Sequence, residues 1–178
     1  EIEKLSSSPS TIQISTSDTE NNHYSITFSS GYGSGVICKR TGMFFNNSLG
    51  EIELNPQGFL GNTYNERLIS NMSPLIVSNN ETIYALGSPG ADRISTALAQ
   101  VINNYINKND WYAAISKPRF HVNQDQSVRA EPESIEENKN VTFTNPNDMY
   151  FGGVCVTGIN EDVVAYGDKR RGDISWTN

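Results

Sequence analysis

The sequence predicts an α+β domain on three observations. β-hairpin patterns fill the first half, helical patterns occupy the middle, and a further hairpin pattern lies near the end. Strands and helices do not alternate as a doubly wound parallel sheet requires, and no internal repeat is visible. At 178 residues the chain is long enough for one domain with a sizeable core. Its hydrophobic content of 36% is lean, but 8 Tyr, 7 Phe and 2 Trp supply bulk for a packed interior.

Residues 1–10 read as a Ser/Pro linker. Residues 11–17 alternate, with Ile12 and Ile14 on one face. Asp18-Thr19-Glu20-Asn21-Asn22 is a turn, and Tyr24, Ile26 and Phe28 alternate on the returning arm. Gly31-Tyr32-Gly33-Ser34-Gly35 reads as a flexible loop and residues 42–45 as a short strand. Residues 46–67 form a long, polar, glycine-bearing loop, of a length that is usually functional or covers a partner surface. Residues 75–77 and 82–86 make a second hairpin across Ser78-Asn79-Asn80.

A helix is expected from about Asp92 to about Asn107, with Ile94, Ala97, Leu98, Val101, Ile102, Tyr105 and Ile106 on one face and the acidic Asp92 suited to its N-terminal dipole. A short helix starts near Asp110 and stops before Pro118. The acidic stretch 124–140 reads as one exposed strand or helix among loops. Residues 149–159 return to β structure, turn at Asn160-Glu161-Asp162 and continue through 163–166.

A formal charge of −7 argues against nucleic acid or an anionic membrane as the main partner. No apolar run approaches the roughly 20 residues of a membrane span, and no signal-peptide pattern opens the chain. Cys38 and Cys155 lack metal-ligand spacing. A buried free thiol is the expectation for Cys155, although a disulfide is also compatible with the sequence. His23 and His121 are expected as surface or packing residues. The chain has no HExxH, paired CxxC, GxSxG or Walker loop, so no metal or organic cofactor is expected.

Two features suit chemistry without histidine. Gly87-Ser88-Pro89-Gly90-Ala91-Asp92-Arg93 joins a strand to a helix, where unpaired backbone N–H groups can hold an anion or an oxyanion; a purely structural turn is the alternative. Thr11 opens a strand after the Ser/Pro linker. A threonine at a chain's N-terminus can use its own amine, titrating near about 7.7–8.0, as general base for its hydroxyl.

Five motifs recur in a fixed order: Gly42-Met43-Phe44-Phe45-Asn46-Asn47, Ser70-Asn71-Met72-Ser73-Pro74, Gly87-Ser88-Pro89-Gly90, Pro118-Arg119-Phe120-His121 and Gly167-Asp168-Lys169-Arg170-Arg171-Gly172. Over residues 11–173 the chain resembles the small, C-terminal subunit of the γ-glutamyltranspeptidases, including the related poly-γ-glutamate capsule depolymerases. The resemblance implies an N-terminal-nucleophile hydrolase with a four-layer αββα sandwich. Its precursor cleaves itself before a threonine into a large and a small subunit that stay together, without a cofactor.

By that resemblance residues 1–10 are a linker or propeptide remnant and 11–178 the small-subunit domain. Thr11 matches the nucleophile, Thr27 the threonine that supports it, and Gly90 and Ala91 the pair whose amides form the oxyanion hole. The positions that grip the γ-glutamyl amino and carboxylate groups fall on Ser29, Ser48, Glu51, Ser70 and Asn71. Several depart from the family pattern: Ile12 and Gln13 replace Thr and His, Ser29 replaces Asn, Ser48 replaces Gln or Glu, Glu51 replaces Asp, and Asn71 replaces Ser. The implied partners are the large N-terminal subunit of the same precursor, which completes both sheets and adds an arginine for the substrate carboxylate, and a γ-glutamyl or related amide substrate.

The implied compartment is periplasmic or extracellular. With ten residues ahead of Thr11 the chain is expected to be inactive as it stands. A non-cleaved scaffold or binding protein, or an amidase of other acyl specificity, are the alternatives. Without a large subunit the strands' apolar faces are expected to be partly uncovered.

Overall fold

The computed structural model describes residues 11–58, 67–79, 81–137, 139–159, 163–172 and 176–177. β1 (Thr11–Ser17) and β2 (His23–Ser29) form the expected antiparallel hairpin, in register from Thr11 opposite Ser29 to Ser17 opposite His23. Its turn is built by Asp18, whose Oδ1 accepts from the amides of Glu20 and Asn22, with Asn21 in the left-handed region.

The two-residue period sorts this hairpin in an unusual sense. Ile12, Ile14, Tyr24, Ile26 and Phe28 all lie on the outer face, each more than half exposed. The hydroxyl-bearing face is the one turned inward. Ser25 donates to the Leu86 carbonyl at 2.7 Å, Ser17 bonds Thr157 at 3.0 Å, and Ser15 meets the Cys155 thiol at 3.4 Å.

That inner face lies on a five-stranded antiparallel sheet. β3 (Leu75–Ser78) and β4 (Ile83–Gly87) are the second expected hairpin; β8 (Cys155–Ile159), β9 (Val163–Tyr166) and β10 (Trp176–Thr177) complete the order β10-β9-β8-β4-β3. On the sheet's other side pack α1 (Ile94–Lys108) and α2 (Trp111–Ser116). Tyr84 and Leu86 of β4 meet Ile94, Leu98, Val101 and Tyr105 of α1 in one core. Tyr105 stacks on Trp111 at 3.8 Å, and Tyr84 meets both rings edge-on. Among the described residues the layers therefore run hairpin, sheet, helices.

Several expectations need correction. α1 starts at Ile94, because a 3-10 turn over Ala91–Arg93 takes the first positions, and Asn109 ends it in a left-handed cap. Ile106, placed on the apolar face by its spacing, is 74% exposed: the drift of a 3.6-residue period carries it past the edge of the contact. Residues 42–45 form no strand, only a single bridge between Ile37 and Phe44.

The stretch 124–140 is not one exposed element. It contains β6 (Val128–Ala130), which pairs with β5 (Phe120–Val122) on one side and β7 (Val141–Phe143) on the other, and then the buried Glu131. Three-residue strands are too short to show alternation. Residues 149–159 begin with a 3-10 turn over Met149–Phe151, and β8 starts only at Cys155. The turn at residues 160–162, Asn80 and the linker 1–10 lie outside the described residues.

The uncovered outer face has a direct consequence. We expect the chain by itself to self-associate in a concentration-dependent manner in sedimentation velocity. Replacing Ile14 and Phe28 with Thr, which keeps strand propensity, should weaken that association by roughly tenfold or more per residue. An unchanged sedimentation profile would assign the association to another surface.

Candidate active site

The site begins where β1 begins. Thr11 stands opposite Ser29, and its Oγ1 donates to Ser29 Oγ at 3.2 Å; the same Ser29 oxygen accepts from the Gly31 amide at 3.0 Å. Thr27 lies two residue pairs along the ladder from Thr11, opposite Gln13. Its hydroxyl donates to Gln13 Oε1, while Gln13 Nε2 reaches Ser15, Ser25 and the Ile14 carbonyl. The Gln13 carboxamide lies directly on Gly87, where a Cβ would come within 2.3 Å of it. Gly87 is thus small because β4 must let this side chain in.

The turn after β4 has the expected strand-to-helix form. Gly90 sits at φ 138° and Ala91 at φ 53°, a left-handed conformation that costs an L-residue about 1–2 kcal/mol. The turn is clamped from beneath: fully buried Ser88 donates to the Pro89 carbonyl at 2.7 Å and accepts from the Gly153 amide at 3.1 Å. A Cβ on Gly90 would meet Gly152 Cα at 3.0 Å, so two glycine backbones touch here. Among the described residues, neither the Gly90 nor the Ala91 amide donates to a backbone carbonyl in the turn. Between the hairpin and this turn lies a cleft of about 300 Å³, lined by Thr11, Gln13, Pro89, Gly153, Cys155 and Arg171 among others.

A second wall comes from the long loop. Ser48 opens a 3-10 turn (Ser48–Gly50), and Glu51 follows it, only 7% exposed. Gly31, at φ +62°, is pressed against this turn: a Cβ there would stand 2.4 Å from both Glu51 Oε1 and Asn47 Oδ1. Asn47 Oδ1 also accepts from the Tyr32 amide at 2.7 Å. Contacts therefore run unbroken from Thr11 through Ser29 and Gly31 to Glu51. Burial, and then the neighbouring Glu53, push the Glu51 carboxyl above the usual carboxylate range, with the Ser48 hydroxyl pulling the other way. No Lys or Arg among the described residues pairs with it.

Ser70 and Asn71 are not drawn into this network. Ser70 is exposed and accepts from the Met72 amide; Asn71 Nδ2 is buried with no hydrogen-bond partner among the described residues, and no hydrogen bond joins either residue to Thr11 or Glu51. His121 is buried, bonded through Nδ1 to Thr96 at 2.9 Å, and its pKa is lowered by burial. His23 bonds Ser17 at the far end of the hairpin. Both cysteines are free, and burial pushes the Cys155 thiol up. No group of three or more His, Cys, Asp or Glu fit to hold a metal occurs among the described residues. No helix there is long and apolar enough to cross a membrane.

The sequence did not reveal the ionic cluster beneath the cleft. Asp168, which lines it, pairs with Arg119 at 2.7 Å and Arg170 at 3.1 Å, and Arg170 also pairs with Glu131. All four side chains are at most 2% exposed. Arg119 and Arg170 both donate to the Ile115 carbonyl at the end of α2, while Asp168 accepts from the Val154 amide. The cluster joins α2, β6 and the start of β8 under the Gly152–Gly153 backbone that supports the turn. The arginines stood in quoted motifs, but their acid partner Glu131 lies in a stretch with no pattern of its own.

Comparison with known proteins agrees with this architecture. The sequence profile for gamma-glutamyltranspeptidase matches residues 1–173. The glutathione hydrolase proenzyme of Escherichia coli K12 is 30% identical over 125 residues, covering 62% of this chain and 22% of that protein. That of Bacillus subtilis subsp. natto is 24% identical over 171 residues, covering 83% and 29%. The chain thus spans under a third of the length of these relatives.

Among solved structures, the Bacillus anthracis transpeptidase CapD superposes with a TM-score of 0.71 at 22% identity, covering 94% of this chain and 99% of that one. The Helicobacter pylori gamma-glutamyltranspeptidase does so with 0.66 at 26%, covering 93% and 96%. An α+β small-subunit-like portion of an N-terminal-nucleophile hydrolase is the shared fold. With the family profile extending over nearly its whole length, the chain belongs to the gamma-glutamyltranspeptidase family.

Proposed function

We propose that residues 11–178 are the small-subunit domain of an amidohydrolase or acyltransferase that acts on γ-glutamyl or similar amides, and that residues 1–10 precede its maturation site. Cleavage between Ser10 and Thr11 frees the Thr11 amine. Thr11 Oγ attacks the substrate carbonyl while that amine takes its proton, and the Gly90 and Ala91 amides hold the oxyanion. The amide C–N bond breaks as the proton passes to the leaving amine. Water or a second amine then attacks the Thr11 ester and regenerates the hydroxyl. Thr27, held by Gln13, keeps the base of the hairpin in register, and Ser29 supplies the hydroxyl nearest the nucleophile.

One observation carries this reading: a strand-opening threonine reaches, through Ser29 and Gly31, a buried carboxylate that pairs with no cation among the described residues. Glu51 is suited to the substrate ammonium, with Ser29 and Ser48 beside it; Ser70 and Asn71 would join only in a closed, bound form. The large N-terminal segment of the precursor is the proposed partner, seated on the outer face of the β1–β2 hairpin and supplying the missing layer of the sandwich. Before cleavage Thr11 has no free amine, and the uncleaved chain is inactive.

Intact-mass analysis of the full-length protein tests this directly. A break at Ser10–Thr11, and a γ-glutamyl adduct on the Thr11 peptide after brief exposure to γ-glutamyl-p-nitroanilide, are expected. A full-length chain that stays whole and releases no nitroaniline would make the protein a non-cleaved binding or scaffold member. Cleavage at Thr11 with turnover only of other acyl amides would favour altered specificity, which the short Ser29 and Ser48 side chains would explain.

Glu51→Gln separates recognition from chemistry. Loss of a charge-assisted contact of about 1.5–3 kcal/mol should lower kcat/KM for γ-glutamyl amides roughly 10- to 100-fold, mainly through KM. The ammonium needs the ionised carboxylate, so wild-type kcat/KM should fall as pH drops through the raised Glu51 pKa. Stability has the opposite slope. The folded state holds the Glu51 proton more tightly than the unfolded chain, so stability falls as pH rises from 4.5 through the raised value. Glu51→Gln should remove that slope in denaturant titrations.

A further inference from the structure

Gln13 is the side chain on which the two halves of the candidate site meet. It stands on β1 two residues after Thr11, on the same face, and both residues line the cleft of about 300 Å³. Its carboxamide lies over Gly87, the last residue of β4, and Gly87 runs directly into the Ser88-Pro89-Gly90-Ala91 turn. One amide group therefore touches both the strand that opens with Thr11 and the strand that leads into the turn.

Two backbone carbonyls fix which way that amide faces. A carbonyl oxygen can only accept, so the Ile14 carbonyl, at 3.0 Å, requires the Gln13 nitrogen on its side. The Leu86 carbonyl takes the Ser25 hydroxyl proton at 2.7 Å, which leaves the Ser25 oxygen to accept from the same nitrogen at 3.0 Å. With Nε2 so placed, Oε1 faces Thr27, and the single hydroxyl proton of Thr27 is committed to it. The Thr27 oxygen then offers only lone pairs to any other group that approaches it. Thr27 is the diagonal neighbour of Thr11 across the hairpin, on the same inner face.

The fit over Gly87 leaves no room for a side chain there. A Cβ on Gly87 would stand 2.3 Å from both the carbon and the oxygen of the Gln13 carboxamide. The next inward-facing pair of the hairpin, Ser15 and Ser25, is tied to the same two strands of the sheet. Ser25 bonds the Leu86 carbonyl, and Ser15 meets Cys155, which stands opposite Gly87.

We propose that Gln13 is a positioning residue for acyl transfer. Its carboxamide sets the level of the Thr11 strand over the oxyanion turn. It also keeps Thr27 an acceptor, so that the freed Thr11 amine donates to Thr27 and keeps its lone pair for the Thr11 hydroxyl. No bond is made or broken at Gln13. The proposal rests on the acyl-transfer reading for its effect on turnover, but not for the placement of the turn.

The test uses the full-length protein with Gln13→Met, with Gly87→Ala, and with Gln13→Ala and Gly87→Ala together. Methionine has the length to cover Gly87 but carries neither hydrogen-bonding group. Gln13→Met should lower kcat for γ-glutamyl-p-nitroanilide about 10- to 100-fold and leave KM within about threefold, since the base and the turn are misplaced while substrate contacts remain. Gly87→Ala should lower kcat similarly by displacing the carboxamide. Adding Gln13→Ala to Gly87→Ala removes that overlap, so the denaturant midpoint should return toward wild type while kcat stays low. In parallel, the amide NMR resonances of Gly90 and Ala91 should shift in Gln13→Met.

A Gln13→Met kcat within about threefold of wild type, or a kcat that recovers along with the midpoint in the double variant, overturns the proposal. Should Gln13→Met not fold, Gly87→Ala and the double variant decide by the same readouts. If wild type turns nothing over while Gly90 and Ala91 shift, the positioning stands and the acyl-transfer reading falls. If neither amide shifts, the positioning falls whatever the turnover.

Discussion

Asp168→Asn is expected to destabilise the protein by about 3–5 kcal/mol, because it removes one charge from a closed buried set and leaves its partners behind. The carboxylate is only 1% exposed and has four contacts: Arg119 at 2.7 Å, the Arg170 side chain at 3.1 Å, and the amides of Arg170 and Val154 at 3.0 Å each. Two guanidinium groups balance two carboxylates here. Without Asp168, Glu131 is the one carboxylate among the described residues that faces both cations, in a region too dry to screen them. For a chain of this length the loss should lower the melting temperature by roughly 6–20 °C.

The effect should also reach the site. The Val154 amide held by Asp168 follows Gly152 and Gly153, the residues against which Gly90 and Ser88 pack. Thermal unfolding followed by calorimetry checks the stability term. A shift under about 2 °C would mean that water enters the cluster and that its burial is overstated.

Thr11→Ala is expected to leave the precursor uncut at Ser10–Thr11 and to lower turnover of γ-glutamyl amides by at least about 10⁴-fold, since removing a nucleophile removes the covalent path altogether. Thr11→Ser, which keeps the hydroxyl and the amine, should retain cleavage at a reduced rate. Stability separates a chemical role from a structural one. The Thr11 hydroxyl makes one 3.2 Å bond from a half-buried position, so Thr11→Ala should change unfolding free energy by no more than about 1 kcal/mol. Mass spectrometry and denaturant titration of the same sample report both quantities. A Thr11→Ala protein that is still cleaved at this bond would exclude Thr11 as nucleophile.

These two residues mark what could be read in advance. Thr11, Gly90 and Ala91 were visible because strand starts and glycine turns are local patterns, and the hairpins at 11–29 and 75–87 and both helices were visible for the same reason. Glu51 stood out only through family resemblance; its burial against Gly31 depends on two loops meeting. Glu131 was hidden in an acidic stretch, because three-residue strands carry too little periodicity to be recognised and a buried acid looks like an exposed one until its cation is placed.

The same limit applied to direction. Alternation in residues 11–29 showed that one face of the hairpin is apolar and the other hydroxylated, yet could not say which turns inward. By itself, then, the sequence determined the α+β class, the hairpins, the strand-to-helix turn and the threonine at its strand start, since each is set by neighbours within one turn or one strand. Only the tertiary structure decided that the hydroxylated face meets the sheet, that Ser29 rather than Thr27 stands beside Thr11, and that Asp168, Arg119, Arg170 and Glu131 neutralise one another. Those outcomes depend on pairing and burial between distant segments, and no local pattern records them.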